Sequence, residues 1–370
     1  MYYDYETSNK SFTDLVEKMK KRGHNVEFIL QLNDKDLVHV DPFNPTLDEV
    51  MQNKIINEVE RNFWYFAREV ARIPTFEKGV TRPVTAHRGN IALWSIMQHG
   101  FNVYSELPRQ LGNTMNTAVF VTWKNICETK FITSCVSDSP NNAMHNINRM
   151  QKLYNILPNY FIDIAGYMTS HNPTQATLVE KGNTVYVDYL DSEHVSPGAI
   201  RVEAERNESN IKWIDHFTYL AYNDLILDIY LTDCHHKSTR QVVLTSSIGF
   251  DNDRRDVAAQ RLIMGSLKFD ESMYDMTIHQ LQKELEKYPS QMIYITFNPL
   301  EMDMDEKYIL EQIPAMCGDL YSIMKEIFMQ RPSHSLINSV KHMKEKGVPD
   351  HVIEKVIARY VEDMTVKYDD

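Results

Sequence analysis

Between a β-rich run at Phe101–Glu106 and a helical stretch over Met115–Cys127, the chain reads Ser105-Glu106-Leu107-Pro108-Arg109-Gln110-Leu111-Gly112-Asn113-Thr114. A phosphate-binding loop needs backbone N–H groups turned inward and a helix N-terminus aimed at the anion. It also needs a lysine for the β- and γ-phosphates and a Ser/Thr hydroxyl for Mg²⁺. Gly112 and Thr114 hold their places in that template, while Leu107 stands at the first glycine position and Asn113 at the lysine. The plainer alternative is a strand–turn–helix corner in which Gly112 relieves the turn. Pro108, Arg109, Gln110, Leu111, Gly112, Asn113 and Thr114 are the candidate residues for binding ATP.

Two later runs supply what such a loop requires. Ile211-Lys212-Trp213-Ile214-Asp215-His216-Phe217 is an apolar strand pattern ending in an aspartate, the residue type that holds Mg²⁺ beside a P-loop. Thr114 and Asp215 are therefore the candidate Mg²⁺ ligands. His216 stands where an ATPase carries the glutamate that polarises the attacking water; a neutral imidazole is also a base. Gln241-Val242-Val243-Leu244-Thr245-Ser246-Ser247 ends in small hydroxyl residues suited to sensing a γ-phosphate, which makes Thr245, Ser246 and Ser247 the candidate coupling residues. Asn113 brings no charge, and phosphoryl transfer depends on positioned charge. Arg109 is the one cation within the loop, so Arg109 and His216 are the candidate catalytic residues.

The elements that must position these groups follow from periodicity and punctuation. Thr46 with Glu49 matches a capping box and predicts a helix running to about Ile73, closed by Pro74. A second helix is expected over Arg88–Met97, stopped by Gly100. Ser139 and Pro140 signal the start of a helix whose apolar face carries Ala143, Ile147, Met150, Leu153, Tyr154 and Leu157, closed by Pro158. Two runs at 176–179 and 184–190 flank Lys181-Gly182-Asn183 and predict a hairpin. Strands alternating with helices imply an α/β fold with a mainly parallel central sheet covered on both faces, and ligands of such sheets lie beyond the carboxyl ends of the strands. Helical segments are expected before this unit and after it, the last carrying Val352, Ile353, Val356, Ile357 and Tyr360 behind an Asp350 cap.

Composition narrows the classes. Lys plus Arg is 39 and Asp plus Glu is 51 in 370 residues, a net charge of −12. A dedicated DNA-binding domain shows a basic excess instead, so any nucleic-acid contact must come from a local patch or from other subunits. The four cysteines form no CxxC pair, which argues against a zinc ribbon or a disulfide framework and fits a reducing compartment. The N-terminus lacks the basic start and apolar run of a signal peptide. No apolar run approaches the ~20 residues of a membrane span. Asp233-Cys234-His235-His236 has metal-ligand residue types, but adjacent histidines on a strand point to opposite faces; an exposed loop is the simpler reading. Glu203, Glu205 and Glu208 read as a solvated face, Asp251, Asp253 and Asp256 equally as a metal site or a polar surface loop, and Met302, Met304, Met324 and Met329 as core filler.

In order and spacing these runs resemble the ATPase domain of the large terminase subunit of tailed bacteriophages. The segment Pro108–Thr114 is similar to a family loop of the form S/P-R-Q-x-G-K-T at every position but the lysine. Trp213-Ile214-Asp215-His216-Phe217 resembles W-I-D-E-F, and Thr245-Ser246-Ser247-Ile248-Gly249 resembles T-S-T-P-G. The lead-in at Trp64–Pro74, His87-Arg88-Gly89-Asn90 and the closing Lys325-Glu326-Ile327 also match. The resemblance covers about residues 60–331 and implies a P-loop NTPase-like fold, with a lead-in at 1–85, an ATPase-like domain at 86–331 and a helical tail at 332–370. It implies ATP and Mg²⁺ as cofactors, double-stranded viral DNA as the object moved, and portal and small terminase proteins as partners. It further implies a homo-oligomeric ring on assembly, no membrane, and the host cytoplasm as location. Only 39 residues follow Arg331, too few for the family's nuclease domain, so cutting is expected from a separate subunit. With Asn113 and His216 in place of Lys and Glu, hydrolysis is expected to be impaired or absent. The alternative is a catalytically inactive paralogue acting as a structural or regulatory binding protein; an unrelated helicase-like P-loop protein is a third.

Overall fold

The computed structural model describes residues 2–75, 77, 79–108, 111–166, 168–172, 175–178, 180–189, 209–220, 223–228, 241–249, 254–315, 320–329, 336–345 and 347–366. Two short antiparallel pairs lie outside the main sheet: β1 (Tyr2–Tyr3) with β2 (Gln31–Leu32), and β3 (Arg72–Pro74) with β4 (Thr81–Pro83). The central sheet is built from β5 (Asn102–Glu106), β6 (Ile132–Ser137), β7 (Met168–Asn172), β8 (Gln175–Leu178), β9 (Asn183–Tyr189), β10 (Ile211–Asp215), β11 (Gln241–Ser246), β12 (Leu267–Lys268) and β13 (Met292–Thr296). Its order is β12-β13-β5-β11-β10-β6-β9-β8-β7. From β12 to β9 every neighbouring pair is parallel. Only β8, which closes the expected hairpin with Leu178 opposite Asn183, and the edge strand β7 run antiparallel to their neighbours.

Alternate residues of each central strand enter two different cores, because strand side chains point to opposite faces. Val103, Trp213, Val243 and Ile293 join one core. Tyr104, Ile214, Leu244 and Tyr294 join the other. The first core is filled from α1 (Lys10–Lys21), α2 (Glu49–Arg61), α3 (Phe63–Tyr65), α4 (Arg88–Gln98), α5 (Asn113–Cys127), α6 (Pro140–Asn155) and α7 (Asn159–Ala165), through residues such as Phe12, Val59, Phe63, Trp94, Phe120, Ile147 and Phe161. The second is covered by Phe217, Leu220 and Ile226 and by Ala259 and Leu262 of the helix Arg254–Met264. Helices Glu306–Ala315, Leu320–Glu326, Leu336–Glu345 and Asp350–Val366 gather a third cluster around Ile309, Ile323, Ile327, Met343, Val352 and Val356. Met302 and Met324 are buried in these cores, as expected of filler.

The long helix expected from Thr46 to Ile73 is not one helix. Asp48 is the cap, its carboxylate accepting from Met51 N at 2.8 Å, while the Thr46 hydroxyl bonds Asn44 Oδ1 at 2.9 Å. Asp outranks Thr at this position. The helix then breaks at Asn62, whose backbone is extended and whose side chain caps the next turn through Tyr65 N at 3.2 Å. That break seats Phe63 against Trp94, Phe120 and Trp123, with ring centroids 5.1–5.4 Å apart. A π-helical turn over Phe66–Val70 follows, and Pro74 lies on β3. Pro158 ends α6 as expected, yet it also opens α7.

Candidate active site

The loop after β5 and the tip of β10 lie at the same end of one sheet, separated only by β11. Gly112 takes the left-handed conformation, φ +76, at the start of α5. A Cβ there would meet nothing nearer than 3.7 Å, so it is the backbone angle that favours glycine. Leu107, at the first glycine position of the template, is an anchor instead. It is buried, and its methyls lie against Gly89 of α4, where even an added Cβ would come within 3.0 Å. The other end of the loop is tied to α4 through His87. Its Nδ1 accepts from Asn90 N at 3.2 Å, which leaves Nε2–H to donate to Leu111 O, also at 3.2 Å. Burial pushes the His87 imidazole down to about 4, so it holds this link in its neutral form. Arg109 and Gln110 lie outside the described residues.

Thr114 and Asp215 meet. The threonine hydroxyl donates to Asp215 Oδ1 at 3.1 Å across the top of β11. Thr245, at the tip of β11, donates to the same oxygen at 2.7 Å and accepts from Trp213 Nε1 at 2.8 Å. Asn146 of α6 donates to Asp215 Oδ2 at 3.0 Å. Asp215 is 2% exposed, and such burial is tolerated only for a carboxylate with partners. Ser246 and Ser247 are fastened to the turn after β10: Thr218 N donates to Ser246 Oγ at 3.1 Å, and the Tyr219 hydroxyl lies 3.2 Å from Ser247 Oγ.

The two departures from the template have defined positions. The Asn113 amide donates to Ser105 O at 2.8 Å and to Ser246 O at 3.3 Å, while its Oδ1 is buried without a partner among the described residues. Asparagine therefore pins the loop to β5 and β11 and presents no cation. His216 adopts the left-handed conformation, φ 58, which swings its ring back until Nε2 is 3.7 Å from Asp215 Oδ2.

These residues open onto a cleft of about 790 Å³ that includes Gly112, Asn113, Thr114, Asp215, His216 and Ser246, within the range of small-molecule sites. Five further charged or polar groups on its wall were not among the candidates from sequence: Asp138, Asn142 and Arg149 around α6, Tyr219 after β10, and Glu326 of the helix Leu320–Glu326. Asn142, Asn146 and Arg149 recur at helical spacing, and the signal was the polar face of a helix read only for its apolar one. Among the described lining residues are the carboxylates Asp138, Asp215 and Glu326 and the guanidinium of Arg149, which donates to Asn146 Oδ1; Glu326 is paired with Lys325 at 3.4 Å. A polyphosphate bound there would bring a divalent cation, as nucleotides do beside a phosphate loop. The residues fit that cation: the Asp215 carboxylate and Thr114 hydroxyl are hard oxygen donors of the kind Mg²⁺ takes. Lys124 is elsewhere, 3.2 Å from Glu128 and stacked over Trp123. Asp233, Cys234, His235 and His236, Glu203, Glu205 and Glu208, and Asp251 and Asp253 lie outside the described residues. Among those described, no group of three metal-type side chains forms and no helix is long and apolar enough to cross a membrane.

No protein-family profile and no curated protein sequence matches the chain. Its fold is similar to solved large terminases. The large terminase ATPase domain of Thermus phage P74-26 aligns over 67% of this chain and 95% of that one, at 10% identity and a TM-score of 0.40. The HK97 bacteriophage large terminase aligns over 83% of this chain at 10% identity and a TM-score of 0.42. There the chain spans about half, 53%, of the other protein's length. At such values no residue role transfers, and the assignments below rest on the geometry of the strand tips.

Proposed function

We propose that this chain is a terminase-like ATPase subunit that binds Mg²⁺–ATP across the tips of β5 and β10 and hydrolyses it poorly. The observation that carries the reading is the Thr114–Asp215 contact at 3.1 Å. Two residues 101 positions apart form the hydroxyl–carboxylate pair that holds Mg²⁺ beside a phosphate loop. When bound, the ion supplies Lewis-acid stabilisation of phosphate charge. Gly112 opens the α5 N-terminus, the tips of β11 at Thr245, Ser246 and Ser247 couple the site to the following turn, and Arg109 is assigned the loop's positive charge. The weak point is chemical: Asn113 offers hydrogen bonds where a charge is needed, and His216 offers an imidazole where a carboxylate is usual. On this reading residues 86–331 are the ATPase unit, with a lead-in at 1–85 and a helical tail at 332–370. The chain works in the host cytoplasm on double-stranded viral DNA, with portal and small terminase proteins, as a homo-oligomeric ring.

Radiolabelled ATP tests this. The wild-type protein is expected to retain ATP with Mg²⁺ in equilibrium dialysis and to turn it over slowly. Arg109→Ala should abolish turnover, and the pair Asn113→Lys with His216→Glu should raise it. Absence of any ATP retention by the wild type would refute the reading. Retention with no turnover would favour the inactive binding paralogue.

A further inference from the structure

The cleft has lost a carboxylate at the position after Asp215, yet a carboxylate stands one strand away. β10 and β6 run parallel with Ile214 opposite Val136. Asp138 directly follows β6 and His216 directly follows β10, so both stand at the carboxyl end of the sheet. Asp138 lines the cleft with Thr114, Asp215 and Arg149. It is half-buried and held in place at one oxygen: Asn142 Nδ2 donates to Oδ1 at 2.7 Å, and the Ser137 hydroxyl approaches the same atom at 3.4 Å. Neither bond uses Oδ2. His216, by contrast, is turned toward the Asp215 carboxylate and is 39% exposed. A group that orients water and takes its proton must be fixed by neighbours and keep one acceptor atom available; among the described residues Asp138 meets both conditions.

We infer that Asp138, from the strand beside the Asp215 strand, is the residue that holds the attacking water and receives its proton. The inference rests on the cleft being a Mg²⁺–ATP site. In the step, the water oxygen forms a bond to the γ-phosphorus while the bond from that phosphorus to the β,γ-bridging oxygen breaks. The electron pair of the broken bond leaves with ADP. The water proton passes to Asp138 Oδ2 and from there to solvent, leaving orthophosphate. The residual hydrolysis of a protein without the usual glutamate then runs through β6.

The test compares two complexes of the full chain with Mg²⁺–mantADP: beryllium fluoride, which mimics the bound γ-phosphate, and aluminium fluoride, which mimics the transition state with its axial water. Asp138→Asn is expected to weaken the aluminium fluoride complex by about tenfold or more and to lower turnover by about 10²-fold, the scale of general base catalysis. The beryllium fluoride complex should hold within about twofold, as expected when only transition-state binding is lost. Asp138→Glu should recover part of both losses. The inference is overturned if Asp138→Asn leaves both complexes equal to wild type, if it loses both together, or if His216→Ala alone causes the selective loss. A wild-type protein that binds the beryllium complex but not the aluminium one overturns the inference and leaves nucleotide binding standing. One that binds neither overturns both.

Discussion

At the scale of single residues, the site is held by hydroxyls and amides acting on one carboxylate. Thr245 is the pivot, since it accepts from Trp213 and donates to Asp215. Thr245→Val preserves the shape but leaves the buried indole N–H unpaired and removes one donor from Asp215. We expect it to lower stability by about 1–3 kcal/mol, read from the urea unfolding midpoint; an unchanged midpoint would contradict the network. Asn113→Lys should act in the opposite sense on ligand binding. A lysine adds a charge in a cleft whose described lining is acidic, and Mg²⁺–ATP affinity should rise about tenfold, ~1.4 kcal/mol, by isothermal titration. Gly112, Thr114 and Asp215 were legible in the sequence because each belongs to a short pattern with a fixed chemical meaning. Asp138, Asn146 and Arg149 were not. Each sits in a run that local periodicity explains without reference to a site, and only the parallel pairing of β6 with β10 brings that run to Asp215.

At the scale of elements, strands carried over from sequence better than helix boundaries. Buried parallel strands such as IKWID and QVVLTS are mostly apolar runs with polar tips, Lys212 interrupting the first, and the runs at β5, β10 and β11 stand where periodicity put them. The strand MIYIT at β13 has the same apolar signature, but no chemical motif at its tip marks it out. The break at Asn62 was hidden because packing of Phe63 overrides helix propensity there. The link between α4 and the loop also yields a pH prediction. His87 stays neutral in the fold down to about 4, whereas in the unfolded chain it titrates near 6.5. The unfolded state therefore binds more protons in that interval. The contribution is complete above pH 6.5 and declines as pH falls toward 4, by at most about 1.4 kcal/mol per pH unit. His87→Gln should flatten the acid limb of the stability–pH curve between those values. An equally steep limb in the variant would sink the claim that His87 carries it.

At the scale of the molecule, α4 links the loop to the far edge of the sheet. Arg88 makes a bidentate pair with Glu271, at 2.5 and 2.8 Å, and covers the Phe297 ring at 5.2 Å. Arg88→Ala removes the cation and leaves a buried carboxylate, a change expected to cost about 3 kcal/mol, seen as a fall in Tm. Retention of the wild-type Tm would show that the pair does not brace the fold. At the cleft three strand tips meet, with β11 between β5 and β10 in the sheet. The most direct measurement is the affinity of ADP for the whole chain by isothermal titration, with Mg²⁺ and with EDTA, in the wild type and in Asp215→Asn. We predict a wild-type affinity that falls at least about tenfold, ~1.4 kcal/mol, when Mg²⁺ is removed, and a variant in which Mg²⁺ makes no difference. Equal affinity in all four titrations, or no binding in any, would contradict the site.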